Sequence, residues 1–115
     1  MYKINALGGE PKQQFEMILE DGFRLSLYFE YKANQLGWFF GFQYNDQSYQ
    51  NIRLTTSYNI LRAYRTWLPF GIMCLTEDKL EPMDIEDFIM GYASVYILTK
   101  DEVNAIEGTY YAKTT

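Results

Sequence analysis

Residues 13–44 read QQFEMILEDGFRLSLYFEYKANQLGWFFGFQY, and apolar side chains recur there at every second position. Phe15, Met17 and Leu19 form one row, Phe23, Leu25, Leu27, Phe29 and Tyr31 a second, and Trp38, Phe40, Phe42 and Tyr44 a third. A period of two places alternate side chains on one face of an extended strand. Successive rows broken by Asp21-Gly22 and by residues 31–37 read as an antiparallel meander with one aromatic face. Asp21-Gly22 has the composition of a two-residue hairpin turn of type I′, whose central residues both take positive φ. Gly41, inside the third row, marks a bulge or a close backbone approach.

Working outward, residues 1–12 read as a lead-in arm with a short edge strand at 2–5, interrupted by Gly8-Gly9 and Pro11. A single domain is expected over 13–108 and a frayed tail over 109–115. The patterns predict strands at 13–20, 23–31, 37–44, 49–55, 70–76 and 92–98. Residues 70–76 are continuously apolar at their start, which implies burial on both faces. Between them, Ile60, Leu61, Tyr64, Trp67 and Leu68 have helical spacing, with Ser57 as a cap and Pro69 as a stop, favouring a short helix over an ordered loop. Thr99 and Glu102 form a capping box that opens a second helix through Ile106, ended near Gly108. The expected fold is mainly β, a small antiparallel barrel or sandwich of six to seven strands with one or two short helices.

Composition narrows the function classes. The chain has 115 residues, enough for one ordinary core, and a formal net charge of -5. An acidic balance argues against nucleic acid, whose phosphates need clustered Lys and Arg, and against an anionic membrane surface. No apolar run reaches the roughly 18–20 residues of a membrane span, and the first residues lack the apolar core of a signal peptide. The lone Cys74 forbids an intramolecular disulfide and suits folding in a reducing cytoplasm. Eleven Tyr exceed what one small core holds, because each buried hydroxyl needs a partner. Some belong on a surface, and Tyr is enriched where proteins meet.

The catalytic inventory is short. Histidine is absent, which removes the commonest general base and metal ligand. Cys74 lies in an apolar strand and reads as a core thiol. No glycine run has the form of a phosphate loop, and no cofactor is implied. Glu77, Asp78, Glu81, Asp84 and Asp87 make an acidic loop without the spacing of a calcium-binding loop. It reads as solvated charge or as a face for a basic partner. Tyr58, Arg62, Tyr64, Arg65 and Trp67 mix the residue types that carry most binding energy at protein interfaces. These five and the acidic loop are the expected contact surface, against a plainer reading as packing and surface charge.

Several punctuated positions together resemble the plug proteins of phage tail baseplates, typified by those of cyanophage contractile tails. Pro11-Lys12-Gln13-Gln14-Phe15 followed by Leu19-Glu20-Asp21-Gly22 is similar to the family's P-x-Q-x-F opening and its first turn. Gly37-Trp38, Tyr44-Asn45 and Asn59-Ile60-Leu61-Arg62 follow in order, then Leu68-Pro69-Phe70-Gly71-Ile72, similar to a Phe-Gly strand start. Asp78, Glu81-Pro82, Asp87-Phe88 and Gly91 precede the last strand, Val95-Tyr96-Ile97-Leu98, with Glu81 where Asp is usual. The resemblance spans residues 10–105 and is carried by the order and spacing of these positions.

The resemblance implies a structural, non-enzymatic role at the tail tip, with other tail or baseplate proteins as partners and self-association as a further contact. It implies a place in the virion tail, after synthesis in the host cytoplasm. The alternative is a small β-barrel module whose aromatic rows line a cavity for a ligand or peptide. An empty interior would favour that module, and a close-packed one would count against it.

Overall fold

A computed structural model describes residues 2–4, 10–78 and 82–110. The chain forms β1 (Tyr2–Lys3), β2 (Lys12–Ile18), β3 (Arg24–Lys32), β4 (Gly37–Tyr44), β5 (Gln47–Arg53), β6 (Phe70–Thr76), β7 (Ala93–Thr99) and α1 (Lys100–Tyr110). Single 3-10 turns occur at Ala33–Gln35 and Arg62–Tyr64. The strands make two antiparallel sheets, one ordered β2-β3-β4-β5 and the other β1-β7-β6. The architecture is therefore a sandwich and not a closed barrel.

The alternating rows do what their period implies. Leu25, Leu27 and Phe29 of β3 and Trp38, Phe40, Phe42 and Tyr44 of β4 are buried on one face. Phe70 of the opposite sheet meets Phe42 edge-on at 5.5 Å and Tyr44 at 5.6 Å, so this face joins the two sheets. Phe29 packs on Phe40 at 6.3 Å. The aromatic rows fill the space between the sheets, as a close-packed core requires. This counts against the cavity-lining alternative. β6 is buried on both faces because α1 covers its outer side, where Met73, Leu98 and Val103 form a second small cluster.

Gly41 sits where an added Cβ would lie 2.6 Å from the Tyr49 carbonyl oxygen. The β4–β5 register shifts between Phe40 and Phe42, so the expected bulge and close approach are the same feature. The capping box also forms. The Thr99 N–H donates to Glu102 Oε1 at 2.9 Å, and the Glu102 N–H donates to Thr99 Oγ1 at 3.2 Å.

Three local expectations change. The first hairpin has a three-residue loop: Leu19 N–H donates to Phe23 O, Gly22 N–H donates to Leu19 O, and only Gly22 has positive φ. That is a turn followed by a left-handed glycine, not a type I′ turn. The expected helix over 57–68 reduces to the 3-10 turn Arg62–Tyr64, because Ser57 pairs with Cys74 and Ile60 N–H donates to Ile72 O. Backbone bonding to β6 replaces the helical ladder. Last, α1 runs past Gly108 to Tyr110, while residues 111–115 of the expected tail lie outside the described residues, as do residues 1 and 5–9 of the expected arm.

Candidate functional site

The segment 54–69 is irregular but fixed at both ends and in the middle. Leu54, Leu61 and Leu68 are buried anchors. Asn59, also buried, accepts the backbone N–H groups of Leu61 and Ile72 on its Oδ1 at 3.1 and 3.2 Å. A buried side-chain acceptor here replaces the backbone partner that a regular element would supply.

This frame positions the five aromatic and basic side chains expected at a contact surface. Arg62 Nε lies 2.8 Å from Glu107 Oε2 and Arg65 Nε 3.2 Å from Glu107 Oε1. One helical carboxylate thus takes both guanidinium groups. Tyr58 stacks flat on Tyr110, with centroids 3.9 Å apart. Tyr64 packs between Tyr49 at 4.9 Å and Trp67 at 6.5 Å. Trp67 is 65% exposed and Tyr58 38%. The structure joins Tyr58, Arg62 and Arg65 to α1 and Tyr64 to β5, with Trp67 beside Tyr64, and it ties the two arginines to an internal partner that sequence spacing did not reveal. Nothing local in the sequence marks Glu107 or Tyr110, which lie more than forty positions downstream of Arg62 and Tyr58.

The acidic segment packs elsewhere. Tyr31 Oη donates to Met83 O at 2.7 Å and Trp38 Nε1 donates to Asp84 O at 3.1 Å. Phe88 is buried edge-on against Trp38 at 5.2 Å. Asp84 and Asp87 spend part of their hydrogen-bonding capacity on the loop itself. The Asp84 N–H donates to Asp87 Oδ2 at 2.9 Å, and the Glu86 N–H to Asp84 Oδ1 at 3.1 Å. Tyr92 donates its hydroxyl to Asp78, and Glu77 N–H donates to Tyr92 O. Glu81 lies outside the described residues. The same loop exposes Ile89 (59%) and Met90 (74%), which the sequence reading missed because they follow neither strand nor helix periodicity.

Reactive groups are few. Burial pushes the Cys74 thiol up to about 12, so it carries no thiolate at neutral pH. Among the described residues no group of His, Cys, Asp or Glu is arranged to hold a metal ion. No described helix is long and apolar enough to cross a membrane. A groove of about 550 Å³ lies over the outer face of the four-stranded sheet, floored by Gly41 and flanked by Tyr28, Phe39 and Gln43.

Fold and surface define a small β-sandwich scaffold that presents aromatic and apolar side chains on ordered loops. The chain belongs to the family described as cyanophage baseplate Pam3 plug gp18, whose model matches residues 1–100 of the 115. This is a structural family of the phage tail baseplate and not a known enzyme family. No curated protein matches the chain. Asn59 and Gly71 are in direct contact in the fold: an added Cβ on Gly71 would lie 2.7 Å from Asn59 Oδ1.

Proposed function

We propose that the chain is a plug-like structural part of the tail tip, made in the host cytoplasm and built into the baseplate without any catalytic step. The family match over residues 1–100 carries this reading. Its contacts with other tail proteins are made through Trp67, Tyr58 and Tyr64, with Arg62 and Arg65 beside them, and through the acidic segment of Glu77, Asp78, Glu81, Asp84 and Asp87. Support comes from the exposure of Trp67 on a fixed loop, since a pre-ordered aromatic loses little freedom on binding. The acidic segment suits a partner surface rich in Lys and Arg, where complementary charge sets orientation and association rate.

The test is capture of the tagged chain from lysate of the phage that encodes it, with partners identified by mass spectrometry. Baseplate proteins are expected with the wild type and lost with Trp67→Ala, whose effect on stability stays within about 0.5 kcal/mol for so exposed a residue. Capture of baseplate proteins undiminished by both Trp67→Ala and Glu77→Lys would overturn the assigned surface. Capture of none would overturn the role.

A further inference from the structure

The two edges of the four-stranded sheet differ. Along β5 the ladder is broken opposite Gly41, with Asn51 at φ 58, and the Arg53 guanidinium reaches back to the carbonyls of Gln35 and Leu36. Bulges of this kind blunt an edge against further pairing. In the other sheet, β6 is covered by the Ser57–Cys74 bridge. By contrast β2 is paired with β3 in unbroken register from Lys12 to Ile18 and carries no proline or bulge.

Hydrogen bonding fixes which groups of β2 face outward. Leu19 N–H donates to Phe23 O and Tyr31 N–H to Pro11 O, so the odd-numbered residues of this strand bond to β3. The N–H and C=O groups of Lys12, Gln14, Glu16 and Ile18 point to the edge that no described strand pairs with, and their side chains are exposed on the outer face of the sheet. A seven-residue edge in unbroken register is a template for another strand.

We propose that a second copy of this chain occupies the β2 edge, by antiparallel β2–β2 pairing about a two-fold axis at Gln14. The charge pattern selects the occupant and the register. Centred on Gln14, outward groups match outward groups, and Lys12 of each copy stands opposite Glu16 of the other, giving two opposite-charge cross-strand pairs. Centred on Glu16, the two carboxylates would face each other. Centred on Phe15, Lys12 would face Ile18 and no charges would pair. Within its own chain Glu16 has Arg24 at 3.7 Å and Ser26 Oγ at 3.4 Å, both on the adjacent strand, which leaves its approach from the free edge open. The pairing is isologous and closes at two copies, joining two four-stranded sheets into one. It does not depend on the baseplate role.

Sedimentation velocity of the full chain over a concentration series tests this. The wild type is expected to show a monomer–dimer equilibrium. K12E and E16K each set like charges opposite at both contacts and are expected to weaken the dimer about tenfold. A one-to-one mixture of the two variants restores opposite charges at both contacts and is expected to recover wild-type association, less so in high salt. Gln14→Pro, which removes an outward N–H without touching the β3 ladder, is expected to abolish the dimer while circular dichroism keeps the strand signature. A wild type that stays monomeric throughout overturns the proposal. So do single variants that associate as the wild type does, or a mixture that fails to recover association.

Discussion

The oxygen of Asn59 that accepts the N–H groups of Leu61 and Ile72 occupies the space a Cβ on Gly71 would need, 2.7 Å away. Two residues twelve positions apart thus fix one another: Gly71 is small so that Asn59 can reach the backbone of β6, and Asn59 holds the irregular segment that carries the aromatic surface. Asn59→Ala leaves two buried N–H groups unpaired and is expected to cost about 2–4 kcal/mol. Gly71→Ala is expected to cost about 1–3 kcal/mol by overpacking. Chemical denaturation of the double variant should show less than the sum, by about 0.5 kcal/mol or more, because one substitution removes the group the other strikes. Strict additivity would contradict the contact.

Glu107 takes both Arg62 and Arg65 on a partly exposed surface. Glu107→Ala is expected to cost about 1 kcal/mol, the scale of a surface ion pair with good geometry. Amide hydrogen exchange should quicken along α1 and leave β3 and β4 unchanged, and high salt should reproduce part of the effect in the wild type. Equal quickening across both sheets would show that the triad does not act locally.

Cys74 is fully buried and its thiol is pushed up to about 12 by burial. A thiol-specific reagent at neutral pH is therefore expected to modify the native chain only as fast as it unfolds, and to react at once in denaturant. Fast native labelling would contradict the placement of β6 between the sheet interior and α1.

Tyr44 donates its hydroxyl to Asp21, and its pKa is raised to about 12 by burial first and by the Asp21 hydrogen bond and charge second. A folded value above the unfolded value of about 10 means the neutral hydroxyl stabilises the fold. That contribution is complete below pH 10 or so and is lost as pH rises toward the folded value. Asp21→Asn should lower the Tyr44 pKa in an ultraviolet titration and make the loss of stability above pH 10 or so shallower. An unchanged titration would show that Asp21 does not perturb Tyr44.

Much of the sandwich was legible because the dominant signal is a period of two. Gly37–Tyr44 and Phe70–Thr76 begin and end where the apolar pattern begins and ends, and Gly41 announced its own bulge. Barrel and sandwich share that period, so only the pairing order separated them. The Glu20–Gly22 loop was misread because Asp-Gly also serves a longer loop in which glycine alone needs positive φ. Segment 57–68 was misread because Leu61 and Leu68 anchor it at helical spacing while Asn59 and Ser57 divert its backbone to β6. At the candidate surface the residue types were legible and their partners were not. Arg62 and Arg65 looked free for a partner until Glu107 arrived from the last helix, and Ile89 and Met90 carry no periodic signature at all.

A baseplate part is carried in the mature particle, at the tip of its tail. Virions of the encoding phage should be purified, and tails examined by immunogold electron microscopy with an antibody to this chain, alongside mass spectrometry of isolated baseplates. Label at the tail tip and peptides of the chain in the baseplate fraction are expected. Label absent from tails, with the chain recovered only from the soluble lysate, would contradict the baseplate role.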